Sequence, residues 1–322
     1  MLHFNQQQID EFAPMKDVID SIDTAYHLYH RENFHMPTRT QVENGDNTLV
    51  LMPCFTENYI ATKLITVYPE NSAKGLPTIQ GNIILNCNQT GETIATFDGT
   101  YLTAVRTGAI GGNAVRHLAK QNVKTLAVIG TGVQGFYQTL AACEERNFEQ
   151  IHVYNRTKGE KVSKFIKKLK GALHSNIKIS EKQTPEETIK DADVVIAATN
   201  SNDPVLPDDS SLLKNKLFIG IGSFQPKMNE FPLSFFDNVD HILVDSEDAI
   251  KESGDLIKPL EEGKIVRDDI QTLASFIKNP TFDVESKDNT IFFKSTGMAL
   301  FDAVSAADIY NASLATQKRR NA

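Results

Sequence analysis

The 322-residue chain has few cysteines, no long apolar run and no excess of positive charge. Cys54, Cys87 and Cys143 form no CxxC pair, which favours reduced thiols in the cytoplasm over a disulfide framework. No stretch approaches the ~20 apolar residues of a membrane span. The first residues lack a basic and then apolar segment, so no signal peptide is expected. A formal net charge of −8 does not favour nucleic acid or an anionic membrane as a partner.

The pattern of apolar residues changes along the chain. Before about residue 120, a helical segment precedes four strand-like runs, at 48–53, 59–69, 78–86 and 92–99, and a glycine-containing helix. After residue 123, short apolar strands alternate with helices, which is typical of a parallel sheet. We therefore predict an α/β protein. It would combine a doubly wound Rossmann domain over 121–295 with an α+β domain over 1–120 and 296–322, completed by the C-terminal helix.

A glycine-rich turn follows the first of these apolar strands. Three glycines in GxGxxG spacing close the strand and open a helix: Gly130, Gly132 and Gly135. That context favours a dinucleotide site over a plain strand-to-helix turn. The backbone amides of Val133 and Gln134, at the helix start, would face the phosphates.

The next strand ends in Asn155-Arg156-Thr157, about twenty residues later, where an acid usually binds the adenosine ribose. A neutral asparagine, a guanidinium and a hydroxyl suit a 2′-phosphate instead, so the sequence predicts a preference for NADPH. The alternative is that Arg156 covers the adenine while NADH also binds. Two further strand ends, with Thr199 and Ser223, would lie in the same crevice, unless they are ordinary loop starts.

Three cations stand out in the first domain: Arg39, Lys63 and Arg106. Lys63 lies inside an otherwise apolar strand, where a charge needs a partner. A substrate carboxylate would be such a partner and would also suit the guanidinium groups. The alternative is pairing with a protein acid such as Asp98 or Asp302.

Several segments together resemble the ornithine cyclodeaminase/mu-crystallin family over nearly the whole chain. They are GLP at 75–77, TGE at 90–92, DGTYLTAVRTGA at 98–109, the turn VIGTGVQG, VYNRT, and IGIGSFQPKMNEF. The resemblance implies a homodimer with an N-terminal substrate-binding and dimerisation domain and a second domain that binds NAD(P)(H). The Asn-Arg-Thr run is similar to the NADPH-using mu-crystallin branch.

The resemblance also assigns roles to residues. It places the substrate-carboxylate ligands on Arg39, Lys63 and Arg106, with Lys63 and Arg106 as the expected catalytic pair. It places the cofactor contacts, beyond the glycine turn, on this set: Thr78, Arg106, Val133, Gln134, Asn155, Thr199 and Ser295.

One position departs from the cyclodeaminases. These enzymes carry a catalytic aspartate where this chain has Phe224, and a phenyl ring cannot transfer a proton. The segment is more similar to family members that reduce cyclic ketimines, so we expect NADPH-dependent reduction of Δ1-pyrroline-2-carboxylate or its six-membered homologue, with Phe224 against the substrate. The alternatives are an alanine-dehydrogenase-like enzyme, a cyclodeaminase and a non-catalytic NADPH-binding protein. The histidines at 27, 30 and 35 have no metal-site spacing, and no metal is expected.

Overall fold

The computed structural model describes residues 1–173 and 176–321. The strands are β1 (Leu2–Phe4), β2 (Thr40–Asn44), β3 (Asn47–Phe55), β4 (Tyr59–Val67), β5 (Ile79–Cys87), β6 (Thr93–Asp98), β7 (Thr125–Ile129), β8 (Gln150–Tyr154), β9 (Lys178–Glu181), β10 (Val194–Ala197), β11 (Leu217–Gly220), β12 (His241–Val244), β13 (Ile270–Thr272) and β14 (Ile291–Lys294). The α-helices are α1 (Gln6–Phe12), α2 (Met15–His30), α3 (Gly99–Leu118), α4 (Val133–Glu145), α5 (Glu160–Ala172), α6 (Pro185–Ile189), α7 (Ala249–Glu252), α8 (Gly254–Glu261), α9 (Leu273–Lys278) and α10 (Ala299–Asn321).

The chain forms two compact units. Unit 1 comprises Met1–Arg106 and Met298–Ala322, and unit 2 comprises Thr107–Gly297. Helix α3 therefore contributes residues to both units. The predicted domain boundaries at 120/121 and 295/296 stay predictions.

Unit 1 contains a six-stranded sheet in the order β1-β6-β5-β4-β3-β2. Strands β2 to β6 run antiparallel to their neighbours, and β1 joins β6 in parallel. Alternate side chains of β3, β4 and β5 are buried, as expected when one face of a sheet is covered. Helix α10 contacts these three strands and α2, which confirms that the C-terminal helix completes the first domain.

Unit 2 contains eight parallel strands in the order β13-β12-β14-β11-β10-β7-β8-β9. The chain moves from β7 out to β9 and then returns to place β10 on the other side of β7. This reversal of strand order is the point at which open α/β sheets bind ligands, outside the carboxyl ends of the strands. The predicted α/β class with a doubly wound parallel sheet is confirmed.

The core of unit 2 is rich in phenylalanine. Buried rings from β11, β14 and the segment between β11 and β12 contact one another at centroid distances of 4.6–6.3 Å: Phe218, Phe231, Phe235, Phe236 and Phe292. Edge-to-face contacts of this kind add to the stability that the burial of apolar area provides. The cluster fixes residues 231–236 in the segment between β11 and β12, beside an acid of the site described below.

Two glycines inside α3 allow a close helix contact. A Cβ on Gly108 would lie 2.6 Å from the Cβ of Tyr137, and one on Gly111 would lie 1.6 Å from Oε1 of Gln138. Both partners belong to α4. The glycines that weaken the helix pattern in the sequence are thus required by the approach of α4 to α3.

The structure also has elements that the sequence pattern does not predict. Helix α1 begins with a capping box, in which Asn5 accepts from the Gln8 amide and Gln8 accepts from the Asn5 amide. Strand β2 is polar and fully exposed, so no alternation of apolar residues marks it. Within the described part of the chain, no helix is long and apolar enough to cross a bilayer.

Candidate active site

A buried cluster of charges joins three distant parts of unit 1. Lys63 lies in β4 and donates from Nζ to Oδ2 of Asp302 at 2.6 Å, while Arg106 in α3 donates from Nε to Oδ1 of Asp302 at 2.9 Å. Asp302 belongs to the first turn of α10. The exposed fractions of the three side chains are 2%, 4% and 1%.

The burial of this cluster changes the proton affinity of its members. The pKa of Lys63 is lowered from 10.5 to about 8: burial is the largest cause, repulsion from Arg106 and Arg39 adds to it, and attraction to Asp302 opposes it. Burial alone would raise the pKa of Asp302, but Arg106 and Lys63 outweigh it and hold that pKa below its usual value. The cluster therefore contains an ionised aspartate and a lysine that gives up its proton just above neutral pH.

The cluster carries more positive than negative charge. Lys63 and Arg106 share one carboxylate, and Nη1 of Arg106 is buried without a hydrogen-bond partner among the described residues. Arg39, half-buried just before β2, is near enough to depress the pKa of Lys63. An unpaired cationic donor is costly to bury, which makes this a suitable place for an anionic ligand.

These contacts bear on the alternative that the cations pair with protein acids. Asp302 does pair with Lys63 and Arg106. Asp98 instead accepts from the amide of Tyr101 at 2.9 Å and caps the start of α3. Binding of a substrate carboxylate by Arg39, Lys63 and Arg106 stays a prediction, with Arg106 Nη1 as the donor that is still available.

The three glycines of the turn after β7 in unit 2 have different surroundings, and each explains in a different way why a side chain is absent. Gly130 has φ +108°, and a Cβ there would lie 2.4 Å from the carbonyl oxygen of Ala198. A Cβ on Gly135 would lie 2.1 Å from the carbonyl oxygen of Gly130. Gly132, the N-cap of α4, has no atom within 4 Å of its Cβ position, so a ligand can approach its backbone closely.

The residues around this turn fit a dinucleotide. Oγ1 of Thr131 and Oε1 of Gln134 are buried and have no hydrogen-bond partner in the described structure. Val133 is 62% exposed at the first position of α4, where the backbone amides are unpaired and the helix dipole favours anions. The Thr131 hydroxyl could donate to a bound pyrophosphate, and Oε1 of Gln134 could accept from a sugar hydroxyl, beside an open helix N-terminus.

The end of β8 contacts the same turn through Asn155. Oδ1 of Asn155 accepts from the amide of Thr131 at 3.3 Å, and its Nδ2 donates to the carbonyl of Thr157 at 2.8 Å. Arg156 is exposed between them. Lys158 donates to two backbone carbonyls beyond β9, so its ammonium is already engaged.

The hydroxyls of Ser223 and Ser295, both predicted cofactor residues, are engaged within unit 2. Ser223 is fully buried, and its Oγ lies 2.7 Å from the carbonyl of Met228 and 3.0 Å from Oγ of Ser253. Ser295 donates from Oγ to Oδ2 of Asp245 at 2.6 Å. Their roles in cofactor binding stay predictions. Thr78 is half-buried just before β5, and Phe224 is 41% exposed after β11. No contact of either residue tests its predicted role.

A buried acid that the sequence pattern did not identify lies after β11. Oε1 of Glu230 accepts from the amide and hydroxyl of Thr199, both at 2.7 Å, and its Oε2 accepts from the amides of Gly222 and Ser223 at 2.7 and 3.3 Å. The sequence signal for it is an acid near the end of the family segment IGIGSFQPKMNEF. Among the described residues, no group of three or more His, Cys, Asp or Glu side chains could hold a metal ion.

Known proteins resemble this chain over nearly its full length. The sequence model of the ornithine cyclodeaminase/mu-crystallin family matches residues 2–317. A Δ(1)-pyrroline-2-carboxylate reductase of Bacillus cereus is 34% identical over 316 residues, which is 96% of each chain. The structure of the Thermococcus litoralis Δ(1)-pyrroline-2-carboxylate reductase with NADH and L-proline has a TM-score of 0.91 and 30% identity, covering 98% of both chains. An archaeal alanine dehydrogenase dimer with bound NAD has a TM-score of 0.90 and 26% identity, covering 98% of this chain and 97% of that one.

The different surroundings of Gly132 and Gly135 generate a prediction. Gly132→Ala should leave the melting temperature unchanged, because its methyl group meets open space, but should weaken NADH binding by blocking close approach of the phosphates. Gly135→Ala should lower the melting temperature, because its methyl group meets the Gly130 carbonyl. Thermal unfolding of the free protein and fluorescence titration with NADH measure the two effects. Unweakened NADH binding by a stable Gly132→Ala would contradict this assignment of the phosphate site.

Proposed function

The chain belongs to the ornithine cyclodeaminase/mu-crystallin family, and we propose that it reduces a cyclic ketimine to the cyclic amino acid with a nicotinamide cofactor. The proposed substrate is Δ1-pyrroline-2-carboxylate, giving L-proline, or its six-membered homologue. The supporting relatives are the Bacillus cereus reductase and the Thermococcus litoralis enzyme that was solved with NADH and L-proline.

The observation that carries the proposal is the excess of buried positive charge around Asp302. Arg106 keeps a buried Nη1 with no partner among the described residues, and Lys63 is also a donor. A substrate carboxylate bound by Arg39, Lys63 and Arg106 neutralises that excess. Two of these groups are already held by Asp302, so the substrate meets donors that need little reorganisation.

Lys63 also supplies the proton that imine reduction needs. Its pKa of about 8 leaves it mostly protonated at neutral pH and makes it a stronger acid than an exposed lysine. In the proposed reaction Lys63 protonates the ring nitrogen, which makes the C=N carbon a better electrophile. The reduced nicotinamide, when bound, supplies the hydride that the carbon receives. Lys63 then takes a proton from solvent, and Asp302 holds the ammonium in place throughout.

Phe224 supports reduction over cyclodeamination. The ring occupies the position where the resemblance places the catalytic aspartate of cyclodeaminases, and it is 41% exposed on the segment that follows β11. An apolar ring offers a contact surface to a small ring and excludes water, but it transfers no proton. Ketimine reduction uses Lys63 for its one proton and needs no second acid–base group at this position.

For the cofactor we propose NADPH in preference to NADH. The support is Arg156, exposed between Asn155 and Thr157 at the ribose end of β8, with no acid at that strand end. The two solved relatives described above hold NADH and NAD. Binding of NADH by this chain is therefore part of the proposal, with Arg156 adding affinity for a 2′-phosphate.

We also propose a homodimer, assembled through the uncovered face of the unit 1 sheet. Residues that alternate with the buried ones in β3, β4 and β5 point to the opposite face. Several are apolar and half-exposed: Leu49, Leu51, Ile60, Leu64 and Ile84. Leu51 pairs with Leu64, and Ile84 with Thr62, so these side chains form one patch. The free thiols of Cys54, Cys87 and Cys143 support the cytoplasm as the proposed location.

An assay of three substrates tests the reaction. NADPH absorbance should fall rapidly with Δ1-pyrroline-2-carboxylate and slowly with pyruvate plus ammonium. Ammonia release from L-ornithine in the presence of NAD should be negligible.

The variant Arg106→Met should have a kcat/KM about 10- to 150-fold lower, because one charge-assisted contact worth about 1.5–3 kcal/mol is lost. Fast ornithine turnover would contradict the proposal, and fast reductive amination of pyruvate would favour the alanine-dehydrogenase alternative.

The pH profile tests Lys63 as the proton donor. Its pKa is lowered to about 8, so its proton is present below that pH and lost above it, and kcat/KM should fall as the pH rises through about 8. Asp302→Asn removes an attraction that raises this pKa. The alkaline limb of that variant should move to lower pH. Asp308 is exposed on the same helix, so Asp308→Asn is the control and should leave the alkaline limb of kcat/KM unchanged. An alkaline limb unmoved by Asp302→Asn would assign the proton to another donor.

A substitution at the ribose end tests the cofactor preference. Arg156→Ala should raise the KM for NADPH about tenfold or more, because a charge-assisted contact to the 2′-phosphate is lost, and should leave the KM for NADH nearly unchanged. Lys161→Ala, at another exposed cation in the first turn of α5, provides the matched control. Equal losses for the two cofactors would show that Arg156 contacts the adenine and not the phosphate.

A further inference from the structure

The carboxylate of Glu230 connects two loops of unit 2 that start at neighbouring strand ends. Thr199 follows β10, and Gly222 and Ser223 follow β11. The two strands are paired in parallel, with Ala197 opposite Gly220. Four hydrogen bonds from these loops end on Glu230, two on each oxygen.

The loops are in close contact at this point. A Cβ on Gly222 would lie 1.9 Å from the carbonyl oxygen of Thr199 and 2.5 Å from Oε1 of Glu230, so only glycine fits. Glu230 is fully buried, so water cannot replace its carboxylate as the acceptor for these donors. A small displacement of the carboxylate would therefore move both loops together.

Glu230 is in turn held by a second buried acid. Its amide donates to Oδ1 of Asp255 at 2.6 Å, and its carbonyl accepts from the amide of Val205 at 2.8 Å. Oδ2 of Asp255 accepts from Nζ of Lys294 at 3.0 Å, and Lys294 and Asp255 are fully buried. Burial raises the pKa of Glu230, while Lys294 opposes that rise by its positive charge.

We propose that Glu230 is a positioning residue for the cofactor: its carboxylate sets the two loops after β10 and β11 against the nicotinamide half of the dinucleotide. The inference rests on the proposed function for its cofactor, and goes beyond it in naming the group that orders this half of the site. The adenosine half is held elsewhere, by the glycine turn after β7 and the end of β8. Loss of the Glu230 contacts should therefore affect the two halves of the dinucleotide unequally.

Binding of NADH and of ADP-ribose to Glu230→Gln tests this inequality. Glutamine keeps the size of the side chain but turns an amide NH2 toward one of the two loops, where N–H donors already point. The dissociation constant of NADH should rise about tenfold or more, by the loss of at least one charge-assisted hydrogen bond. That of ADP-ribose, which lacks the nicotinamide, should stay within about twofold. The emission of the bound reduced nicotinamide should also move toward that of free NADH.

Two further variants make the result decisive. Thr199→Val removes one of the four donors and should weaken NADH binding by a smaller factor than Glu230→Gln does. This variant provides the test if Glu230→Gln fails to fold. Glu262→Gln, at an exposed glutamate after α8, should change neither ligand. Equal weakening of NADH and ADP-ribose together with a lowered melting temperature, or no weakening of NADH, would overturn the inference. Failure of the proposed function is distinct, because it would show as no imine reduction by the unsubstituted protein.

Discussion

The arrangement of unit 1 depends on one buried carboxylate. Asp302 receives Lys63 from the middle of the sheet and Arg106 from α3, and its own helix α10 covers that face of the sheet. Removing one partner of a buried ion pair typically destabilises a protein by about 3–5 kcal/mol, because the other charge is left uncompensated. Burial of such a cluster is a poor way to gain stability, since apolar residues of the same size often do as well. The role proposed for the cluster is instead to bind an anion through its remaining donor, Nη1 of Arg106.

In unit 2 too, buried acids accept hydrogen bonds from separate segments of the chain and hold them together. Asp245 accepts from Oγ of Ser295 and the amide of Gly297, both just after β14. Glu230 does so for the loops after β10 and β11, with Asp255 supporting it from behind. In each case a fully buried acid accepts from several backbone or hydroxyl donors, and these groups are rigid and short. Segments that bind a ligand outside a sheet need such fixing, because they leave the regular hydrogen bonding of the strands.

The two proposed binding functions use different chemistry. The dinucleotide turn relies on backbone geometry: an absent side chain at Gly132, a left-handed conformation at Gly130 and a close carbonyl contact at Gly135. The carboxylate site relies on side-chain charge in a dry environment, where electrostatic attraction is stronger than in water. That environment also lowers the pKa of Lys63 to about 8. In the proposed reaction, the same burial that strengthens substrate binding makes Lys63 acidic enough to protonate the substrate.

The local features could be predicted from the sequence: the parallel α/β class, the glycine turn after β7, the cation inside an apolar strand and the covering C-terminal helix. Each depends on residues close together in the chain, or on a periodicity that a sheet or helix imposes. Which acid meets which cation depends on the assembly of distant segments and is seen only in the folded chain. Asp302 is 239 residues from Lys63 and 196 from Arg106, and it is one of two acids that the sequence leaves open. Glu230 lies several residues along the loop from Gly222, yet the chain folds back and brings its carboxylate to 2.7 Å from that amide. Such contacts depend on how elements assemble, and spacing along a chain does not encode distance across a fold.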